Sequence, residues 1–103
     1  MPNYTILQAE NGQEALEIIK QNSPALVISD HNMPIMNGYD LVQQLNLSET
    51  KYRPPVIILS ADVSDLIKDS YNDLGVEFVF NKPVDLNIFK HAVDKSLRQA
   101  IYN

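Results

Sequence analysis

Four short apolar runs alternate with four segments whose apolar residues recur at helical spacing, and that order restricts the fold more than composition does. Tyr4 to Ala9, Ala25 to Ile28, Val56 to Leu59 and Val76 to Phe80 read as strands. The runs Ala25-Leu26-Val27-Ile28 and Val56-Ile57-Ile58-Leu59 hold no polar residue to turn toward water, and the first reads as buried on both faces. Asn11 caps the first helix, with Glu14 three residues on and Ala15, Ile18 and Ile19 on its apolar face. Pro24 closes that region. Asn37 caps a second helix with the stripe Leu41, Val42, Leu45, and Pro54-Pro55 punctuates before the next strand. Asp62 or Ser64 opens a third helix carrying Ile67, Tyr71 and Leu74, and Gly75 stands where a left-handed stop is expected. Asp85 caps the last, in which Phe89, Val93, Leu97 and Ile101 recur every fourth residue. Such alternation favours parallel strands with helices on both faces over any antiparallel design. The expected fold is α/β, four strands and four helices in a single domain spanning residues 1–103.

If the strands are parallel, their carboxyl ends share one edge, where ligand crevices form in open α/β sheets. Asp30 follows the run ending at Ile28, Ser60 follows Leu59, and Lys82 lies two residues beyond Phe80. Each has a plain structural explanation taken singly: Asp30 opens a turn, Ser60 caps or turns, Lys82 is a solvated loop charge. Their shared position on successive strand ends points further. A carboxylate nucleophile, a hydroxyl donor and a cation around one point suit an anionic group forming on the carboxylate, and phosphoryl fits that description. Lys82 supplies a point charge for phosphate oxygens and Ser60 a hydrogen bond to another.

Composition removes several function classes. A hydrophobic content of 45% with net charge -5 describes an ordinary soluble globular protein, and no Lys/Arg stripe is present to neutralise nucleic-acid phosphates. The absence of cysteine excludes disulfides, thiolate metal sites and thiol catalysis. No apolar run approaches a membrane span and no basic-then-apolar leader opens the chain, so the cytoplasm is the default location. His31 reads as an exposed loop residue, His91 has no assigned role, and Met33 and Met36 read as turn packing.

The segments Asn11-Gly12-Gln13-Glu14-Ala15-Leu16, Asp30-x-x-Met33-Pro34-x-Met36-x-Gly38, Leu59-Ser60-Ala61, Gly75 and Lys82-Pro83 together resemble the receiver domain of two-component response regulators, over nearly the whole chain. The resemblance implies a flavodoxin-like sheet of order 2-1-3-4-5. It implies that Asp30 is the phosphoryl acceptor, that Ser60 senses the phosphoryl group and that Lys82 pairs with it. It implies backbone turns shaped by Asn32, Met33, Pro34, Gly38 and Pro83, with Lys82-Pro83 cis so as to aim Lys82 at Asp30. The module implied is a phosphoacceptor of a phosphorelay rather than an enzyme, at most weakly self-phosphorylating from small donors, with a histidine kinase or phosphotransfer protein as partner. It binds neither nucleic acid nor membrane directly.

Two positions depart from the family pattern. The aromatic switch position, three residues before the Lys, is Val79, with Phe78 and Phe80 sent by strand alternation to the opposite face. Family members also begin with a strand ending in an acidic pair and a helix after it, whereas this sequence starts at the second strand, with Glu10 the only acid before Asn11. The Mg²⁺ implied by the family would then have Asp30 and the Asn32 backbone carbonyl but no acidic pair, an incomplete site. A natural truncation, a fragment, and a strand supplied by a partner all fit. Apolar surface left uncovered, including part of the Phe89, Val93, Leu97, Ile101 stripe, is expected to drive homodimerisation. The alternative reading is a pseudo-receiver that keeps the fold and binds partners without phosphorylation. A hydrolase working through an aspartyl intermediate is weaker, because no second carboxylate motif is present to activate water.

Overall fold

The computed structural model describes residues 4–48 and 53–102, with side chains as far as Arg98. Helix α1 (Gly12–Asn22) leads into β1 (Val27–Asp30), α2 (Gly38–Leu47), β2 (Val56–Ser60), α3 (Asp65–Asp73), β3 (Phe78–Asn81) and α4 (Leu86–Tyr102). The three strands form one parallel sheet in the order β1-β2-β3. Val27 stands opposite Val56, Asp30 opposite Leu59 and Ser60 opposite Asn81.

Local chemistry starts each helix where the sequence marks it. The first turn of a helix leaves N–H groups without intrahelical acceptors, and a polar side chain just upstream supplies one. Asn11 Oδ1 accepts from the Glu14 N–H at 2.9 Å, and Asn37 Oδ1 from the Asp40 N–H at 2.8 Å. Of the two candidates for α3, Ser64 is the cap, its Oγ accepting from the Ile67 N–H at 3.2 Å. Asp85 Oδ1 accepts from the Asn87 and Ile88 N–H groups at 2.9 and 3.1 Å. Gly75, at φ +90°, takes the left-handed turn after α3 that a side chain would resist.

Two apolar clusters hold the layers together. Leu16 and Ile19 of α1 meet Leu41 and Leu45 of α2, while Val42, Val56, Ile58, Tyr71 and Val76 pack as a second group. Val27 lies against both. Helix α4 reaches the sheet through Ala92 and Ser96, which are 1% and 2% exposed. The large residues Phe89, Val93 and Leu97, expected as the buried stripe, are only half-buried and flank that contact. Helix α4 contacts β2, and its most buried described positions are these small residues. The side chain of Ile101 lies outside the described residues.

Three expectations are corrected. Tyr4 to Ala9 is not a strand, and its residues are exposed. Among the described residues no strand pairs with it and β1 hydrogen-bonds β2 alone, and an extended segment without a ladder leaves its N–H and C=O groups to water. The described sheet therefore has three strands rather than four. The run Ala25 to Ile28 becomes Val27–Asp30, with Ile28 47% exposed. A strand at the edge of the described sheet is not covered as a central one is. The last strand likewise shifts to Phe78–Asn81, while Val76 turns into the core ahead of it. β2, by contrast, is buried along nearly its whole length, as its sequence demands.

Enlarging the small contact of α4 tests this packing. Ala92→Leu should cost about 1–3 kcal/mol through overpacking, read as a lower urea midpoint with an unchanged slope. An unshifted midpoint would show that α4 rests on the sheet more loosely than described.

Candidate functional site

The parallel register gathers the carboxyl ends of the strands. Asp30 closes β1, Ser60 closes β2 and Lys82 follows the last residue of β3. The ladder continues one step past the strands: the His31 N–H donates to Leu59 O and the Lys82 N–H to Ser60 O, each at 2.8 Å. Lys82 Nζ then stands 2.7 Å from Asp30 Oδ1. Both side chains are about half exposed, so the pair adds only about 0–1 kcal/mol to stability. What matters is where the cation is. The Lys82-Pro83 peptide is cis, as expected.

The turn after Asp30 is braced from several sides. The Gly38 N–H donates to His31 O at 2.9 Å and the Met36 N–H to Pro34 O at 2.7 Å. Between them Ile35 sits at φ 70°, a left-handed conformation that a β-branched residue rarely adopts and that costs on the order of 1–3 kcal/mol. Met33 and Met36 pack on the α1–α2 cluster as expected, while Asn32 and Pro34 are exposed. Gly38 has a steric reason to be glycine, since a Cβ there would lie 2.8 Å from both Asp30 O and the Tyr71 hydroxyl. A side chain at Gly12 would collide with the Met36 main chain, so the start of α1 also presses on this turn.

Ser60 reaches the edge but is 2% exposed. Its Oγ donates to Asp62 O at 3.1 Å and lies 3.3 Å from the Asp62 N–H, which donates back to it. The hydroxyl therefore ties its own turn rather than touching Asp30.

His31 is not the exposed loop residue expected. It is half-buried, with Nδ1 2.6 Å from the Tyr71 hydroxyl and the two rings edge to face at 5.6 Å and 81°. Tyr71 is fully buried, and burial first, then the nearby Asp40 and Tyr39, push its phenol well above the ordinary value near 10. The pairing joins residues 40 apart in sequence. The only signal in the sequence was a tyrosine in a core stripe, whose hydroxyl must find a partner once buried.

The family model of the response regulator receiver domain matches residues 1–94. The chain belongs to this family.

The receiver domain is 35% identical over 95 residues to sporulation initiation phosphotransferase F of Bacillus subtilis, covering 91% of this chain and 74% of that protein. It is 33% identical over 93 residues to the autoinducer 1 sensor kinase/phosphatase LuxN of Vibrio campbellii, covering 90% of this chain but only 11% of that kinase. Among solved structures it superposes on the signal receiver domain of a putative Luxo repressor protein from Vibrio parahaemolyticus with a TM-score of 0.88, at 28% identity, covering 96% of this chain and 75% of the other. Its homologues are thus response regulators and sensor-kinase receiver domains, and its function is that of a receiver in two-component signalling. The flavodoxin-like fold is shared with them.

Two further features bear on what the receiver domain can do. Val79 packs into the core, while Phe78 and Phe80 stack on the other face at 5.8 Å, with Lys95 Nζ 5.7 Å from the Phe78 ring centre and paired to Glu77. Alternation along β3 thus puts an aliphatic side chain at the aromatic switch position, as its sequence requires. Receiver domains typically bind Mg²⁺. Among the described residues no three His, Cys, Asp or Glu side chains cluster.

The raised Tyr71 phenol gives a measurable pH dependence. A buried phenol resists ionisation in the fold, so its contribution to stability is complete below the unfolded-state value near pH 10 and is lost as the pH rises beyond it. Urea unfolding of Tyr71→Phe should show a shallower loss of stability above about pH 10 than the parent. Equal slopes would place the alkaline sensitivity elsewhere.

Proposed function

We propose that this receiver domain accepts a phosphoryl group on Asp30 from the phosphohistidine of a kinase or phosphotransfer protein and signals its state through protein contacts. The observation that carries the reading is the Lys82 ammonium 2.7 Å from the Asp30 carboxylate at the carboxyl edge of a parallel sheet. An Asp30 oxygen forms the new bond to phosphorus, the bond from phosphorus to the donor nitrogen breaks, and the product is an acyl phosphate. Lys82 offsets the negative charge that gathers on the phosphoryl oxygens. Ser60 would leave its Asp62 contacts to donate to one of those oxygens, which is how the hydroxyl would report the modification. Asn32, Met33, Pro34, Gly38 and Pro83 hold the backbone around the acceptor. Retention of the acceptor and its cation favours this over a phosphorylation-independent pseudo-receiver.

From a small donor such as acetyl phosphate the reaction should be feeble, because one lysine offsets only part of the repulsion between Asp30 and the incoming phosphate. Mass spectrometry should detect a trace adduct, little changed by added Mg²⁺, that vanishes in Asp30→Asn and falls about 10-fold or more in Lys82→Ala. An adduct that survives Asp30→Asn would overturn the assignment. Rapid, strictly Mg²⁺-dependent labelling would show that acidic ligands reach the site from outside the described residues.

Exposed apolar groups support self-association. Ile28 of β1 is exposed, and so are Tyr4, Ile6 and Leu7. Phe89, Val93 and Leu97 add a half-buried face. A symmetric dimer is the commonest way to cover such surface. Sedimentation at micromolar concentration should show a dimer, and a pure monomer would refute it. Among the described residues no helix is long and apolar enough to cross a membrane.

A further inference from the structure

The geometry points to Tyr71 as a positioning residue for the acceptor: its hydroxyl, carried on α3, holds the His31 ring and so fixes the peptide unit that bears Asp30. This rests on Asp30 being the phosphoryl acceptor. Successive residues of a strand face opposite sides of the sheet, and the burial pattern follows that rule here, with Ser29 buried, Asp30 exposed and His31 half-buried. A ring anchored beneath the sheet at position 31 therefore sets where the carboxylate at position 30 stands above it.

His31 is held at three points, and each belongs to a different element. Its N–H donates to Leu59 O of β2, its carbonyl accepts from the Gly38 N–H at the start of α2, and its Nδ1 meets the Tyr71 hydroxyl of α3. The first two fix the main chain but leave the ring free to turn. Only the third fixes the ring. Tyr71 is itself immobile, fully buried among Val42, Val56, Ile58 and Val76, with its ring edge to face with Tyr39 at 5.8 Å. Its hydroxyl lies close enough to Gly38 that no Cβ fits between them. The buried phenol thus meets the turn at the residue that follows the acceptor. Transfer to a carboxylate oxygen needs that oxygen in line with the departing bond, and small misplacements are costly in rate. Tyr71 does this work through His31 and does not touch the phosphoryl group.

The test compares phosphorylation from acetyl phosphate, followed by mass spectrometry, in the parent domain and four variants. Tyr71→Phe keeps the buried ring and deletes only the hydroxyl. His31→Phe removes the acceptor nitrogen, and His31→Asn restores an acceptor, because an Asn Oδ1 stands where the His Nδ1 stood. Tyr71→Phe and His31→Phe should each slow adduct formation about three- to tenfold, the scale of one lost hydrogen bond. The double variant should be no slower than either single one, and His31→Asn should recover to within about twofold of the parent. The ¹⁵N spectrum of the His31 ring should show Nδ1 in a hydrogen bond whose signature is lost in Tyr71→Phe. A parent-like rate in Tyr71→Phe, additive losses in the double variant, or a His31→Asn as slow as His31→Phe would overturn the positioning role while leaving Asp30 as acceptor. No adduct on the parent, or one that persists in Asp30→Asn, would overturn the acceptor assignment and this inference with it.

Discussion

The ladder around β2 is the constraint on which the rest depends. Ile57 and Ile58 are wholly buried, and the strand hydrogen-bonds neighbours on both sides, so its register dictates where β1 and β3 end. Those ends carry the acidic and the basic residue. Had β3 slipped by one position, every side chain on it would have changed faces, exchanging Val79 for its phenylalanine neighbours in the core. Lys82 meets Asp30 because two hydrogen-bonded registers agree, and the ion pair, being half exposed, contributes little to holding them there.

Much of this was legible in the sequence, and the failures share one cause. Helix starts were readable because the cap is local: Asn11, Asn37 and Asp85 act on N–H groups two or three residues away. The candidate site was readable because strand ends in a parallel sheet share an edge, and a family resemblance fixed which residues occupy it. Burial was not readable where it depends on what lies alongside. Ala25 to Ile28 has the composition of a covered strand yet Ile28 is half exposed, and Tyr4 to Ala9 has the pattern of a strand with no neighbour to pair with. Likewise the apolar stripe of α4 named its largest residues, whereas the most buried described positions of the helix are Ala92 and Ser96. The pattern records hydrophobicity but not the distance between elements.

The contact between His31 and Tyr71 escaped for a related reason. Nothing local to either residue announces the other, and the histidine sits in a loop where exposure is the usual expectation. Burial of a phenol carries an obligation that a leucine in the same stripe would not, because its hydroxyl must be satisfied. The partner that satisfies it adjoins Asp30, which joins the folding requirement of α3 to the geometry of the turn.

In a parallel ladder alternate residues of a strand direct both their N–H and C=O groups to the same neighbour. Val27 and His31 turn toward β2, with N–H bonds to Pro55 O and Leu59 O, so the groups of Ile28 and Asp30 face the other way. Amide protection along β1 therefore alternates, and hydrogen exchange on the strand that carries Asp30 is governed residue by residue by direction rather than by the stability of the whole. The Asp30 N–H belongs to the set that points away from β2, while its carbonyl accepts from the Ser29 hydroxyl at 2.9 Å.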